Sequence, residues 1–164
     1  MRVLYTTILC ATDGEAHSER ALRRAAAMAR ESGAALHVAN VEEIPPAAAR
    51  IAPEYRAAAR ADARERVKQQ IAAAVADGGP TVTPHYLASH TGSVAAQIAR
   101  LAERIDADLI VVGSHGRGVV MGALAGSVAQ ALPHETGRPV LVLAGSGPGG
   151  RRPSRQRVRQ ALHV

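Results

Sequence analysis

The chain holds no Phe and no Trp, three Tyr, one Cys and, among its twenty basic residues, a single Lys. Without large aromatics the core has to be assembled from aliphatic side chains and Ala. A lone Cys10 forms no internal disulfide and supplies no cysteine zinc site, which suits a reducing compartment. Lys68 lies in Arg66-Val67-Lys68-Gln69, away from any glycine loop. The phosphate-gripping lysine of P-loop ATPases and kinases is therefore missing, and that class is excluded. No apolar run approaches the ~20 residues that span a bilayer, and Met1 to Thr7 lacks the apolar stretch and cleavage site of a signal peptide. The expectation is a cytoplasmic protein.

What is present fits one domain: 164 residues, 47% apolar and 21% charged. The formal charge of +6 suggests a nucleic-acid partner until its location is read. Arg151, Arg152, Arg155, Arg157 and Arg159 stand in a tail without acidic residues, and setting them aside leaves fifteen basic against fourteen acidic residues in 1–150. The body is nearly neutral and the basicity belongs to an appendage. We expect a domain over residues 1–145 and a basic C-terminal tail over 146–164, joined through the glycine-rich stretch Gly145 to Gly150.

Hydrophobic patterning alternates between strand and helix. Thr7 to Thr12 is an apolar run stopped by Asp13-Gly14, a strand covered on both faces. Ser18 to Ser32 places Leu22, Ala25, Ala26 and Ala29 at helical spacing before Gly33, and Ala35 to Val41 reads as a second strand. Glu42 to Pro53, with Pro45, Pro46 and Pro53, reads as a long connection. Glu54 to Asp77 is an Ala- and Arg-rich helix; Thr81 to Ala88 is a strand whose Pro84 assigns it to a sheet edge. Thr91-Gly92-Ser93 opens a helix carrying Val94, Ile98, Leu101 and Ile105. Asp108 to Gly113 is the most apolar strand and should be central; a helix over about Ser127 to His134 precedes an edge strand over Pro139 to Ala144. This order predicts an α/β, three-layer open parallel five-stranded sheet with right-handed crossovers.

In open α/β sheets ligands bind beyond the carboxyl ends of the strands, where strand order reverses. If the first and fourth strands are neighbours, Asp13 and Gly113 face one crevice. Gly113-Ser114-His115-Gly116-Arg117-Gly118 follows the central strand, and Gly126-Ser127 opens the next helix. Glycines let main-chain N–H groups approach an anion, and a helix N-terminus adds unsatisfied donors. Ser127 is the expected N-cap of that helix. Arg117 could offset phosphate charge and His115 donate a hydrogen bond, while Asp13 could accept from a ribose hydroxyl or simply form the turn.

The spacing Gly-x2-Gly-x9-Gly-Ser at Gly113, Gly116, Gly126 and Ser127 resembles the ATP-binding motif of the universal stress protein family. Ala11-Thr12-Asp13-Gly14, His17 to Leu22, Ala107 to Gly113 and Arg138 to Leu143 extend the resemblance over about residues 4 to 144. The resemblance implies a Rossmann-like sheet in the order 3-2-1-4-5, a homodimer through the last strand, and an adenine nucleotide (ATP, ADP or AMP, with Mg²⁺ as a companion) between the first and fourth strands. It implies that Asp13 contacts the ribose, that Ala11, Thr12 and Val41 surround the adenine, and that Gly113, Gly116, Arg117, Gly118, Gly126, Ser127 and Val128 serve the phosphates. Glu15 and the basic tail depart from the family pattern.

From Gly113 to Gln130 there is no Asp or Glu to hold Mg²⁺ or position a water, so the loop favours binding over chemistry, with at most slow hydrolysis. The reading is an ATP-binding regulatory module of a stress response. A slow ATPase or autophosphorylating protein using the same site is the second reading. The third is a partner of nucleic acid or an acidic protein through the tail, where no aromatic interleaves the arginines for base stacking. Gly145 to Gly150 fits Gly-x-Gly-x-x-Gly but too little chain follows for a βαβ unit. His85 and His90 lack Cys or carboxylate partners at metal spacing, and Cys10 reads as a small buried apolar residue.

Overall fold

The central strand β1 (Thr7–Ala11) has Ile8, Leu9 and Cys10 wholly buried, so a layer covers each of its faces. The computed structural model describes residues 5–44, 52–90, 93–114 and 126–144. Helix α1 (Ala16–Ser32) follows β1 and turns back at Gly33, whose φ of 74° lets its N–H reach Ala29 O. Strand β2 (Ala35–Glu43), helix α2 (Pro53–Val75), strand β3 (Val82–Ser89), helix α3 (Val94–Arg104), strand β4 (Leu109–Ser114), helix α4 (Ser127–Glu135) and strand β5 (Val140–Ala144) complete the described elements. All strand pairings are parallel and the order is β3-β2-β1-β4-β5, as expected. The two proline-bearing strands lie at the edges; Pro84 stands opposite Val38, with no N–H to donate.

Each face of the sheet has its own apolar layer. Ile8, Cys10, Leu36, Val38, Leu109 and Val111 point toward α1 and α2, where Ala21, Leu22, Ala25, Ala26 and Ala29 make α1 a small-residue helix that lies flush on the strands. Leu9, Ala39, Ile110 and Val112 point toward α3 and α4 and pack on Ile98, Leu101, Ala102, Ala129 and Leu132. Alternation along each strand sorts the residues between layers. At the amino end of the sheet, the Asp108 carboxylate accepts from Thr6 N (2.6 Å), Thr6 Oγ1 (2.8 Å) and Thr7 N (2.8 Å), tying β1 to β4.

Several boundaries differ from the sequence reading by a residue or two, β2 among them. Strand β2 continues through Glu42 and Glu43 because β3 supplies partners for both, Ala88 and Ser89, and Arg60 takes up the Glu42 carboxylate at 2.6 Å. Ladder hydrogen bonds thus outweigh the charge that made Glu42 look like the start of a loop. Helix α1 starts two residues early, at Ala16, and α2 ends at Val75 rather than Asp77. Ser93 caps α3 as its sequence suggested, accepting from Ala96 N at 2.9 Å.

Candidate functional site

A cavity opens beyond the carboxyl ends of β1 and β4, the point where strand order reverses. It encloses about 580 Å³ with its solvent-open mouth included. Ala11, Val112 and the main chain of Gly113 form the floor, extended by Ala39 and Val41 of β2. Val94 and Ile98 of α3 make one wall; Gly126, Ser127, Val128 and Ala129 at the start of α4 make another. Thr12, Asp13, His17 and Ser18, from the turn joining β1 to α1, complete the rim. The result is an apolar slot with polar groups gathered at its edges, the usual composition of a small-molecule site.

The rim is held by a hydroxyl network. Thr12 Oγ1 accepts from Gly14 N (3.1 Å) and donates to Gln70 Oε1 (2.8 Å), while Gln70 Nε2 donates to Glu15 O (2.9 Å). Ser18 Oγ lies 2.7 Å from Thr12 Oγ1, 2.9 Å from Asp13 Oδ1 and 2.8 Å from Glu15 O. Thr12 and Ser18 are both buried, so these bonds satisfy groups that would otherwise be stranded. Asn40 Nδ2 donates to Thr12 O at 2.9 Å, fixing the turn from the β2 side. Asp13 therefore does form the turn: its Oδ1 accepts from Glu15 N at 2.9 Å. Its Oδ2 pairs with His17 Nε2 at 2.9 Å, and its side chain stays 47% exposed, which leaves lone pairs facing the cavity.

The two glycines of the motif that are described serve different ends. A Cβ on Gly113 would stand 3.0 Å from His17 O and 3.2 Å from Ser18 Cα, so a side chain there would push on the first turn of α1 behind β4. Gly126 has φ 134°, which side-chain-bearing residues rarely adopt. It, and not Ser127, is the cap of α4: Ser127 is the first helical residue, and no side chain caps the turn. Among the described residues no side chain caps the early N–H groups of α4, whose residues line the cavity at the positive end of the helix dipole.

Ala11, Thr12, Asp13, Val41, Gly113, Gly126, Ser127 and Val128 are thus brought to one cavity. Gly116, Arg117 and Gly118, like His115, lie outside the described residues, as do the linker and the basic tail. Sequence reading missed His17 and Ser18 as rim residues; the spacing of Asp13 and His17, four apart at a helix start, was the available signal. It also assigned Val94 and Ile98 to core alone, although they line the slot.

Asp13 is the one carboxylate on this cavity among the described residues, and no group of three or more metal-ligating side chains occurs among them. The described residues offer a Mg²⁺ ion one carboxylate, too few to hold it without oxygens from a ligand. Burial pushes the Cys10 thiol up to about 12, which makes it inert as a nucleophile. His85 meets His37, not His90: Nδ1 of His37 and Nε2 of His85 are 2.8 Å apart and the rings stack at 5.1 Å. Among the described residues no helix is long and apolar enough to cross a membrane.

An open parallel sheet with a cavity at its switch point defines a crevice-binding α/β protein. A model of the universal stress protein family matches residues 4–144, and the chain belongs to that family. It is similar to universal stress protein A homolog 1 of Coxiella burnetii (strain RSA 493 / Nine Mile phase I), 31% identical over 141 residues that make up 85% of this chain and 96% of that protein. Among solved structures it is similar to a universal stress protein in complex with cAMP, at 29% identity and TM-score 0.59, covering 87% of this chain and 99% of that one. It is also similar to the universal stress protein of Archaeoglobus fulgidus in complex with dAMP, at 26% identity and TM-score 0.61, covering 85% and 98%.

Proposed function

We propose that this chain binds an adenine nucleotide, ATP in the cell, in the cavity at the β1–β4 switch point and acts as a nucleotide-linked regulatory module of a stress response. The observation that carries the reading is the convergence on one cavity of an apolar slot, the Asp13 carboxylate and the uncapped start of α4. Ala11, Ala39, Val41 and Val112 offer a purine flat apolar walls. Asp13, already oriented by His17 and the Glu15 amide, accepts from ribose hydroxyls. The N–H groups of Ser127, Val128 and Ala129 meet phosphate oxygens at the positive end of the α4 dipole. The cAMP and dAMP complexes of the two relatives support an adenosine monophosphate unit as the shared feature. With one carboxylate on the described part of the cavity, the site binds rather than hydrolyses.

The edge strand β5 carries Val140, Leu141, Val142 and Leu143 half-buried in the single chain, which supports a homodimer formed along that edge in the cytoplasm. The basic tail beyond residue 145 is a separate appendage, with nucleic acid or an acidic protein as its secondary partner.

Calorimetry with ATP, ADP, AMP and cAMP tests the reading. Saturable heat is expected for at least one of them, with Asp13→Ala weakening binding by about tenfold, the loss of one charge-assisted contact. Absence of saturable heat with all four nucleotides, at concentrations up to about 5 mM, rejects it. Release of ADP from MgATP at a rate that Asp13→Ala abolishes would replace the binding module by the ATPase reading.

A further inference from the structure

On the opposite face of the sheet, a second cavity of about 440 Å³, its solvent-open mouth included, lies between α2 and the carboxyl halves of β2 and β3. Its donors outnumber its acceptors. Arg60 and Arg64, four residues apart on one face of α2, both line it. Arg60 is engaged by Glu42, the one acidic side chain on the cavity, through Nε–Oε2 at 2.6 Å. Arg64 pairs with no carboxylate among the described residues, and its guanidinium stands 5.0 Å over the Tyr86 ring. Tyr86 Oη and Arg56 Nε are buried without any hydrogen-bond partner.

A buried phenol hydroxyl without a partner is costly, and on this cavity the Tyr86 hydroxyl calls for an explanation. The missing partner must bring acceptors and negative charge, because Glu42 already neutralises Arg60 and leaves the Arg64 cation uncompensated. Oxygens spread over a tetrahedral anion reach donors approaching from β3 and from α2, which a planar carboxylate does less well. The space exceeds that of a bare phosphate, and Ala59, Ala63 and Leu87 give the remainder an apolar lining. We propose that this cavity is a second ligand site, separate from the nucleotide crevice, taking a small phosphate monoester whose phosphate lies between Tyr86 and Arg64.

Amide spectra of the full chain, recorded during titration with inorganic phosphate, with glycerol 3-phosphate and with chloride at matched ionic strength, test the proposal. Saturating shifts are expected at Tyr86, Leu87 and residues 59–64, with the monoester at least ~3-fold tighter than phosphate. Tyr86→Phe and Arg64→Gln should each weaken it about tenfold while leaving the rest of the spectrum in place. Shifts confined to residues 126–129, or shifts equal to those with chloride, or shifts untouched by both variants, overturn the second site. Equal affinity for phosphate and the monoester overturns the assignment of the ligand. Neither result depends on nucleotide binding at the crevice, which is read at a different set of amides.

Discussion

The two faces of the sheet are built from similar residues but finished differently. On the α1 side, Ala21, Ala25, Ala26 and Ala29 let the helix lie so close that even a methyl on Gly113 has no room. On the α3–α4 side, the same strands end beneath Val94, Ile98 and Val128, which stand far enough apart to leave the crevice. A binding site here is thus a matter of where packing stops, with the closed face supplying the rigidity that keeps the open face open.

The sharpest way to break this comparison is to shorten one large aliphatic on each face. Leu22→Ala on the closed face should cost about 4 kcal/mol, since a new void forms in a filled layer. Ile98→Ala, beside an existing cavity, should cost about 2 kcal/mol and also weaken nucleotide binding; urea unfolding measures the first quantity and calorimetry the second. Equal stability losses would show that the crevice is not pre-formed. Next come the two glycines. Gly113→Ala should lose about 2 kcal/mol of stability with nucleotide affinity nearly intact, because its methyl points into α1. Gly126→Ala should lose about 1–2 kcal/mol through strain and also lower affinity, because it disturbs the start of α4.

The smallest effect is at the His37–His85 pair, away from both cavities. Burial, and for His85 also the charges of His37 and Arg104, hold both imidazoles below their ordinary value. The unfolded chain then binds protons that the folded chain refuses, so stability is complete above about pH 6.5 and is lost as pH falls from there toward the lowered folded values. Thermal melts between pH 7.5 and 5 should show this slope, and His85→Gln should flatten it. The discount for partial exposure keeps the effect modest.

Period and punctuation made the fold legible. Pro84 and Pro139 marked edges, Asp13-Gly14 and Gly33 marked turns, and the buried run Leu109 to Val112, read as the central strand, marked an interior one beside the central β1. The crevice was legible wherever a main-chain requirement leaves a glycine or an acid at a strand end. Its walls were not, because Val94 and Ile98 look the same in sequence whether they fill a core or line a slot. Ser127 misled as a cap because the helix starts on it, which puts the cap position at Gly126. His37 and His85 were unreadable as a pair because they lie two register steps apart on different strands, Thr83 being the residue opposite His37.

The contact of Gly113 with the His17 carbonyl carries a mechanical corollary. With no side chain as cushion between them, the crevice floor and the start of α1 form a hard joint. Helix α1 is a rod of about 25 Å that runs from that joint to Gly33, so the crevice floor rests on an element that spans one whole layer.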